Sequence, residues 1–357
     1  MREGFKKYAG ALYIALMTVV VIVVLSCTNE LELIFEAFGQ METWWLWIAG
    51  GCIVVYLLLR MTAMWYYLKR HGCQILLRDV AGVTGAGQFY SAITPSSSGG
   101  QPMQVLWLHR RGVPASLGTA CVSVKFLSFQ ASVLLLGGVL GLSRWRMAEE
   151  QLYGFRWLVV LGYLVNAGLL LVVALTIPRS NVLDRLSRWV VGIGAKLRLI
   201  KHPEQACGRF QSAISDYRDA LQSLFRRPLD AVVIMVLALL QVIAYMGVSL
   251  CLYRAFGLSG TGDLDILTLQ LLLFIAAAFV PLPGAAGAQE SGFCVFFHGV
   301  FPEDSLMAAM VCWRFFSYYL LLIGGLIMMA VAGFRQRDCG KTATTEKTFQ
   351  KSEKNEN

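Results

Sequence analysis

Residues 94–102 read TPSSSGGQP and interrupt a strongly apolar stretch of the chain. Two prolines, three serines and two glycines do not continue a helix, because proline lacks a backbone donor and glycine costs conformational entropy. The flanking segments nevertheless have the composition of membrane helices. Non-helical backbone at membrane depth is tolerated only inside protein or beside a wet cavity, so the break predicts such an interior site.

The composition predicts an all-α polytopic membrane protein. Of 357 residues, 57% are hydrophobic and 15% are charged, and the mean hydropathy is +0.59. The nine cysteines are scattered singly without a CxxC pair, which argues against a zinc site or a disulfide framework. Histidine-pair, nucleophile-elbow and phosphate-loop motifs are missing from the sequence. We therefore predict no catalytic residue, no metal and no cofactor.

The apolar segments predict six full transmembrane helices and two broken ones. Six segments are long enough to span a bilayer, at about 8–25, 44–68, 115–142, 153–177, 229–256 and 305–333. Two further apolar regions, about 75–108 and 264–300, are interrupted by TPSSSGGQP and by PLPGAAGAQE at 281–290. We interpret both as re-entrant helical hairpins that enter and leave on one side. The alternative is eight full spans, two of them kinked.

The basic residues predict the orientation. With both hairpins re-entrant, 24 of the 31 lysines and arginines fall on one side, two on the other and five within spans. The positive-inside rule then puts both termini in the cytoplasm. It also explains the basic excess, so no direct contact with nucleic acid is predicted.

The same topology predicts an inverted repeat, with repeat one at about 8–142 and repeat two at about 153–333. Pro95 is followed four residues later by Gly99, and Pro283 by Gly287.

The predicted domain organisation is a short cytoplasmic tail, one transmembrane domain and a second tail. The tails are residues 1–7 and 334–357, the second of them polar and predicted to be disordered, and the domain is 8–333. Its cytoplasmic loop at 178–228 interleaves ten basic residues with apolar ones. This pattern is typical of amphipathic helices on an anionic leaflet, although an ordinary positive-inside loop would have the same composition.

The two breaks predict a polar binding site. In the first, Ser96, Ser97, Ser98 and Gln101 supply donors and acceptors, while Gly99 and Gly100 permit backbone conformations that other residues resist. The second offers Gly284, Gly287, Gln289 and Glu290. A helix that starts after each break would present a positive N-terminus suited to phosphate or carboxylate. The alternative is that the breaks are kinks, or loops at the membrane surface.

Two cations inside the predicted spans add to the predicted binding site. Lys125 and Arg314 each lie about 15 Å into a span at 1.5 Å per residue, and intramembrane charges are candidates for functional sites. Glu290 is their candidate counter-charge. We predict that the cations hold a lipid headgroup phosphate; a structural salt bridge is the alternative. Arg60, Arg156 and Arg254 lie nearer span ends and are given little functional weight.

The sequence also resembles a known family. The segments TPSSSGGQPMQVLWLHRRGVP, PLPGAAGAQESG and CWRFFSYYLLLIGG resemble the transmembrane region of lysylphosphatidylglycerol synthases, also called multiple peptide resistance factors, and their flippase-like relatives. The resemblance covers about 8–335. It implies a lipid translocase that moves aminoacylated or other phospholipids between leaflets. The matching positions are Pro95, Gly99, Gly100, Pro283, Gly284, Gly287, Glu290 and Arg314.

Two departures from the family pattern qualify that expectation. Family members often have a Glu-Arg pair where this chain has Val124 and Lys125. The full synthases add a soluble aminoacyl-tRNA-dependent transferase domain, whereas this sequence ends 24 residues after Gly333. We therefore expect a translocase of phospholipid rather than an enzyme by itself. The alternatives are a phosphatidylglycerol lysyltransferase, or its membrane subunit working with a separate transferase in cationic peptide resistance, and a scaffold in envelope biogenesis.

Overall fold

The computed structural model describes residues 39, 41–152, 154–176, 228–278, 280 and 282–333, and these residues form helices and short connections without a strand. The predicted span at 8–25 and the tails at 1–7 and 334–357 lie outside the described residues. So does the loop at 178–228, except for its last residue. The chain is a multi-pass helical membrane protein, as the composition predicted.

The helices follow one another along the chain with two sharp interruptions. They are α1 (Thr43–Arg70), α2 (Leu77–Ile93), α3 (Gly100–His109), α4 (Ala115–Ser143), α5 (Trp145–Gln151), α6 (Arg156–Thr176), α7 (Pro228–Ala255), α8 (Asp263–Ala277), α9 (Ala288–Phe297), α10 (Glu303–Arg314) and α11 (Leu321–Ala332), the last two joined by a π-helical turn at Phe315–Leu320. In the described chain, α1, α4, α7 and the continuous α10–α11 are long and apolar enough to cross a membrane. With α6, they match five predicted spans to within three residues.

The first broken segment, α2–α3, is a hairpin that returns to the face it came from. At its open end, Arg111 forms an ion pair with Asp79 at 2.5 Å, and their side chains are 3% and 10% exposed. At its closed end the helices touch, since a Cβ on Gly100 would lie 1.9 Å from Ser91 Oγ. Helices in contact at both ends run antiparallel, so the first break is re-entrant and the alternative of a full kinked span is wrong for it.

The second broken segment, α8–α9, is also a hairpin. A Cβ on Gly292 of α9 would lie 2.5 Å from Leu273 of α8. The phenyl ring of Phe301, after α9, lies 5.8 Å from the ring of Tyr253. The Tyr253 hydroxyl accepts a hydrogen bond at 2.7 Å from the backbone N–H of Thr261, just before α8. Both ends of this hairpin therefore lie beside the end of α7.

The two hairpins open toward opposite faces of the bundle. The end of α1 meets the start of α7 through the ion pair of Arg70 and Asp230 at 2.9 Å, and hairpin α2–α3 follows directly from that end. The start of α1 meets the end of α7, where the Glu42 N–H donates to the Ala255 carbonyl at 2.8 Å. Hairpin α8–α9 follows from this second end. Within the described chain the order of elements is therefore inverted between the two halves, as the re-entrant topology predicted.

Small residues let hairpin α2–α3 pack directly on the last helix. A Cβ on Gly82 would lie 2.3 Å from Cβ of Ala332, and one on Gly85 would lie 2.4 Å from the carbonyl of Gly325. Such close approach between backbones is typical of membrane helix packing. It holds α2 of the first half against a helix of the second half, which positions the site.

Candidate functional site

The second break begins α9 with a series of left-handed residues. Pro283–Ala285 form a single 3₁₀ turn, and φ is +60° at Gly284, +48° at Ala285 and +83° at Gly287. Helix α9 starts at Ala288, and the Glu290 carboxylate accepts a hydrogen bond at 2.7 Å from the backbone N–H of Gly287. Glu290 therefore caps its own helix, and the positive end of α9 has an anion supplied by the chain.

Arg314 is the centre of this site. Its Nε lies 2.8 Å from Oε1 of Glu290, with the side chains 11% and 18% exposed. Its Nη2 donates to the carbonyl of Gly284 at 2.9 Å. Arg314 lies 11 residues after Glu303 in a continuous 30-residue helix, so it is about 16 Å from the helix start. Of the two cations predicted to pair with Glu290, Arg314 is the one that does so.

Tyr318 connects the two breaks and was not predicted. The Arg314 guanidinium lies 4.4 Å from the centre of the Tyr318 ring, in the geometry of a cation–π contact. The same ring fills the space beside Gly284, where an added Cβ would lie 2.3 Å from Cε2. The hydroxyl donates at 3.1 Å to the carbonyl of Ala92, at the closed end of hairpin α2–α3. Its position four residues after Arg314, one helical turn on, was the available signal in the sequence.

The first break differs from the second in its backbone. Ser96 and Ser97 have φ values of 51° and 55°, whereas Gly99 is helical with φ −77°, and Gly100 has no positive φ. The prediction that Gly99 and Gly100 adopt unusual conformations is therefore wrong. Both are needed for close packing, because a Cβ on Gly99 would lie 2.6 Å from Thr94 and one on Gly100 would overlap Ser91.

The predicted lining residues of the first break are accessible. Pro95, Ser97 and Gln101 are exposed, as are Ser96 and Ser98. In the second break Pro283 is buried and Gln289 is half-buried. The turns Pro95–Ser97 and Pro283–Ala285 lie against each other, and the role of their polar groups in binding stays a prediction.

Lys125 is separate from the Arg314 cluster. Its Nζ is buried and has no hydrogen-bond partner, and no described contact joins it to Glu290 or Arg314. Lys125 lies one turn after Cys121, whose thiol lies 3.9 Å from the carbonyl of Met64 in α1. The prediction that Lys125 and Arg314 hold one headgroup together is thus unsupported by contacts within the described chain.

Arg60 lies deeper in its span than the sequence analysis placed it. It lies ten residues before the end of α1 at Arg70, about 15 Å into the helix. Its guanidinium donates to the hydroxyl of Tyr56 at 2.6 Å, and its Nε is buried without a partner. Arg156 and Arg254, in contrast, form ion pairs near helix ends with Glu149 at 3.0 Å and Asp263 at 2.5 Å.

Two tyrosines lie between the cations of the two halves. The rings of Tyr56 and Tyr245 are 5.4 Å apart, and the Tyr245 hydroxyl lies 3.5 Å from the carbonyl of Ser317 in the π-helical turn. Polar groups from both halves therefore line the interior, and π-helical turns are frequent at functional sites. In the described chain no three His, Cys, Asp or Glu side chains come together as metal ligands.

Comparison with known proteins identifies a family of membrane proteins. Residues 10–325 match the family model of the lysylphosphatidylglycerol synthase TM region. A UPF0104 membrane protein of Archaeoglobus fulgidus is 24% identical over 311 residues, which cover 85% of this chain and 87% of that protein. The chain belongs to the lysylphosphatidylglycerol synthase transmembrane-region family, as the three sequence segments indicated.

Proposed function

We propose that this member of the lysylphosphatidylglycerol synthase transmembrane-region family is a lipid translocase. It moves a phospholipid, such as an aminoacylated phosphatidylglycerol, between the leaflets of a bacterial cytoplasmic membrane. The observation that carries the proposal is the meeting of two oppositely inserted hairpins at Tyr318, whose ring contacts Arg314 and Gly284 and whose hydroxyl reaches Ala92. Broken helices that meet inside the bundle are the device with which many transporters bind polar groups at membrane depth.

In the proposed mechanism the headgroup enters from one face between the hairpin tips while the acyl chains stay in the bilayer. Ser97 and Gln101 are exposed on the first tip and offer hydrogen bonds to the headgroup. Opening of one half against the other would then expose the same tips to the opposite face. Glu290 neutralises Arg314 when no lipid is present, since an unpaired buried cation is costly.

The orientation and domain limits are part of the proposal. The 24 basic residues on one side of the predicted topology support cytoplasmic termini. The translocating domain extends over 8–333 in two inverted halves, with the basic loop at 178–228 on the cytoplasmic face.

The test is a leaflet-resolved assay in proteoliposomes. Purified protein is reconstituted with lysylphosphatidylglycerol or phosphatidylethanolamine, and a membrane-impermeant amine reagent reports the fraction of headgroups in the outer leaflet over time. Wild-type protein is expected to move at least one of these lipids faster than protein-free vesicles. Arg314→Gln and Glu290→Gln are expected to abolish the movement while the protein still inserts.

The matched control is Arg254→Gln, which removes a charge from an exposed ion pair at the end of α7 and should leave the rate unchanged. Wild-type rates for both Arg314→Gln and Glu290→Gln would contradict the assignment of this site.

A further inference from the structure

The geometry of α1 and α4 brings two cations face to face inside the bundle. The helices run antiparallel, and the Cys121 thiol of α4 lies 3.9 Å from the carbonyl of Met64 of α1. One turn from Met64 toward the start of α1 is Arg60, and one turn from Cys121 toward the end of α4 is Lys125. Because the helices are antiparallel, these two steps go in the same direction, so Arg60 and Lys125 lie opposite each other.

Both cations are deep in the bundle. Arg60 is ten residues from the end of α1, and Lys125 is ten residues from the start of α4. Each is therefore about 15 Å along its helix from the same face. At that depth two like charges repel each other, and Lys125 Nζ and Arg60 Nε are buried.

The described chain provides no carboxylate for this pair. Lys125 Nζ and Arg60 Nε are buried without hydrogen-bond partners, and the Arg60 guanidinium contacts only the neutral hydroxyl and ring of Tyr56 among described groups. Buried polar atoms normally have partners, and each exception calls for an explanation.

Comparison of the two halves of the inverted repeat explains why this pair of cations has no carboxylate partner. In the second half, Glu290 follows Pro283 by seven residues and neutralises Arg314 at 2.8 Å. In the first half, the residue seven positions after Pro95 is Pro102. The acidic partner of the second half is thus replaced by a residue without charge, while the cation of the first half is kept as Lys125.

We propose that Arg60 and Lys125 form an anion site that receives the phosphate of a phospholipid headgroup. The proposal rests on the proposed function and names the place where the substrate binds. A guanidinium and an ammonium suit this ligand, because arginine presents a planar fork to two phosphate oxygens and lysine adds a point charge. One guanidinium nitrogen of Arg60 donates to the Tyr56 hydroxyl at 2.6 Å, which leaves the other guanidinium donors for the ligand.

With this site, the two halves of the protein have different roles in binding the anion. Arg314 has its own carboxylate and needs no ligand, whereas Arg60 and Lys125 are balanced only when an anion is bound. A free phosphate ion has the same chemistry as the headgroup, and the experiment separates the two sources.

The experiment measures binding of soluble short-chain lipids to the purified full chain in a neutral, phosphate-free detergent. The probes are dihexanoyl phosphatidylglycerol, dihexanoylglycerol without the phosphate, and inorganic phosphate, each titrated by isothermal calorimetry. We expect wild-type protein to bind the phosphatidylglycerol and not the uncharged diacylglycerol. Tighter binding of inorganic phosphate than of the lipid would overturn the assignment to a headgroup.

The variants locate the site. Lys125→Met and Arg60→Gln are each expected to weaken binding of the phosphatidylglycerol by about tenfold or more, since each removes a charge-assisted contact. Lys125→Arg keeps the charge and should retain binding, which separates loss of the site from loss of the fold. Arg156→Gln, at an exposed ion pair, should bind as wild type does.

Equal affinities of Lys125→Met and wild-type protein would refute the site. Failure of the proposed translocase function would give a different result from failure of this binding site. In that case wild-type protein would move no lipid in proteoliposomes, although the binding that depends on Lys125 would still be measured.

Discussion

Replacing Glu290 by glutamine tests how strongly the second break is held by its ion pair. The carboxylate accepts from Arg314 at 2.8 Å and from the backbone N–H of Gly287 at 2.7 Å. Glutamine keeps one acceptor oxygen but turns an amino group toward the other donor. A hydrogen bond to a charged group is worth about 1.5–3 kcal/mol, and breaking a fully buried pair costs about 3–5 kcal/mol.

The structure favours the lower part of this range. The side chains of Arg314 and Glu290 are 11% and 18% exposed, and Gly284 and Tyr318 continue to hold the guanidinium. We therefore expect Glu290→Gln to lower the free energy of unfolding by about 2 kcal/mol. In a double-mutant cycle with Arg314→Gln, the coupling energy should also be about 2 kcal/mol.

The assay is reversible unfolding by sodium dodecyl sulfate in mixed micelles, followed by far-ultraviolet circular dichroism of this helical protein. The matched control cycle uses Arg254→Gln and Asp263→Asn, whose side chains are 31% and 53% exposed, so their coupling should be about 0–1 kcal/mol. If the effects of Glu290→Gln and Arg314→Gln add to within about 0.5 kcal/mol, the two residues do not act as a buried pair and the reasoning fails.

Two further predictions concern the hairpins. Gly284→Ala and Gly287→Ala both place alanine at a positive φ, with a backbone strain of about 1–2 kcal/mol each, but only the Cβ at residue 284 meets another group, the Tyr318 ring at 2.3 Å. Gly284→Ala should therefore lower the free energy of unfolding by about 1–3 kcal/mol more than Gly287→Ala does, because of overpacking. Equal losses for the two variants would show that the ring moves away freely. Arg111→Ala leaves the carboxylate of Asp79 buried at the base of α2–α3 and should cost about 3–5 kcal/mol in the same unfolding assay, whereas a loss below 1 kcal/mol would mean that water reaches this carboxylate.

The sequence predicted the architecture because its signals are local. Long apolar runs determine the spans, and a break such as TPSSSGGQP stops a helix wherever it occurs. Basic residues that cluster near the ends of spans favoured the re-entrant interpretation. The ion pair of Asp79 and Arg111 at the open end of α2–α3 agrees with it.

The site was predicted less completely, because contacts between distant helices are not encoded in spacing. The sequence identified Glu290 and Arg314, which are 24 residues apart, but offered Lys125 as an equal partner for the carboxylate. The packing of α9 against α10 determines which of the two cations forms an ion pair with Glu290. Arg60 was placed near a span end, although the predicted end at residue 68 and the observed end at Arg70 both put it about 12–15 Å inside the span. The positive φ values occur at Ser96 and Ser97, whereas Gly99 and Gly100 make room for Thr94 and Ser91. This packing is not visible in the sequence.

Access to the first hairpin tip from both faces is the most direct test of translocation. In a variant whose nine cysteines are replaced, Ser97→Cys is reconstituted in one orientation and exposed to an impermeant thiol reagent from either side. Because Ser97 is exposed at the point where the two halves meet, the account predicts modification from each side in turn, slowed by transported lipid. Modification from one side alone, at a rate that lipid does not change, would contradict it.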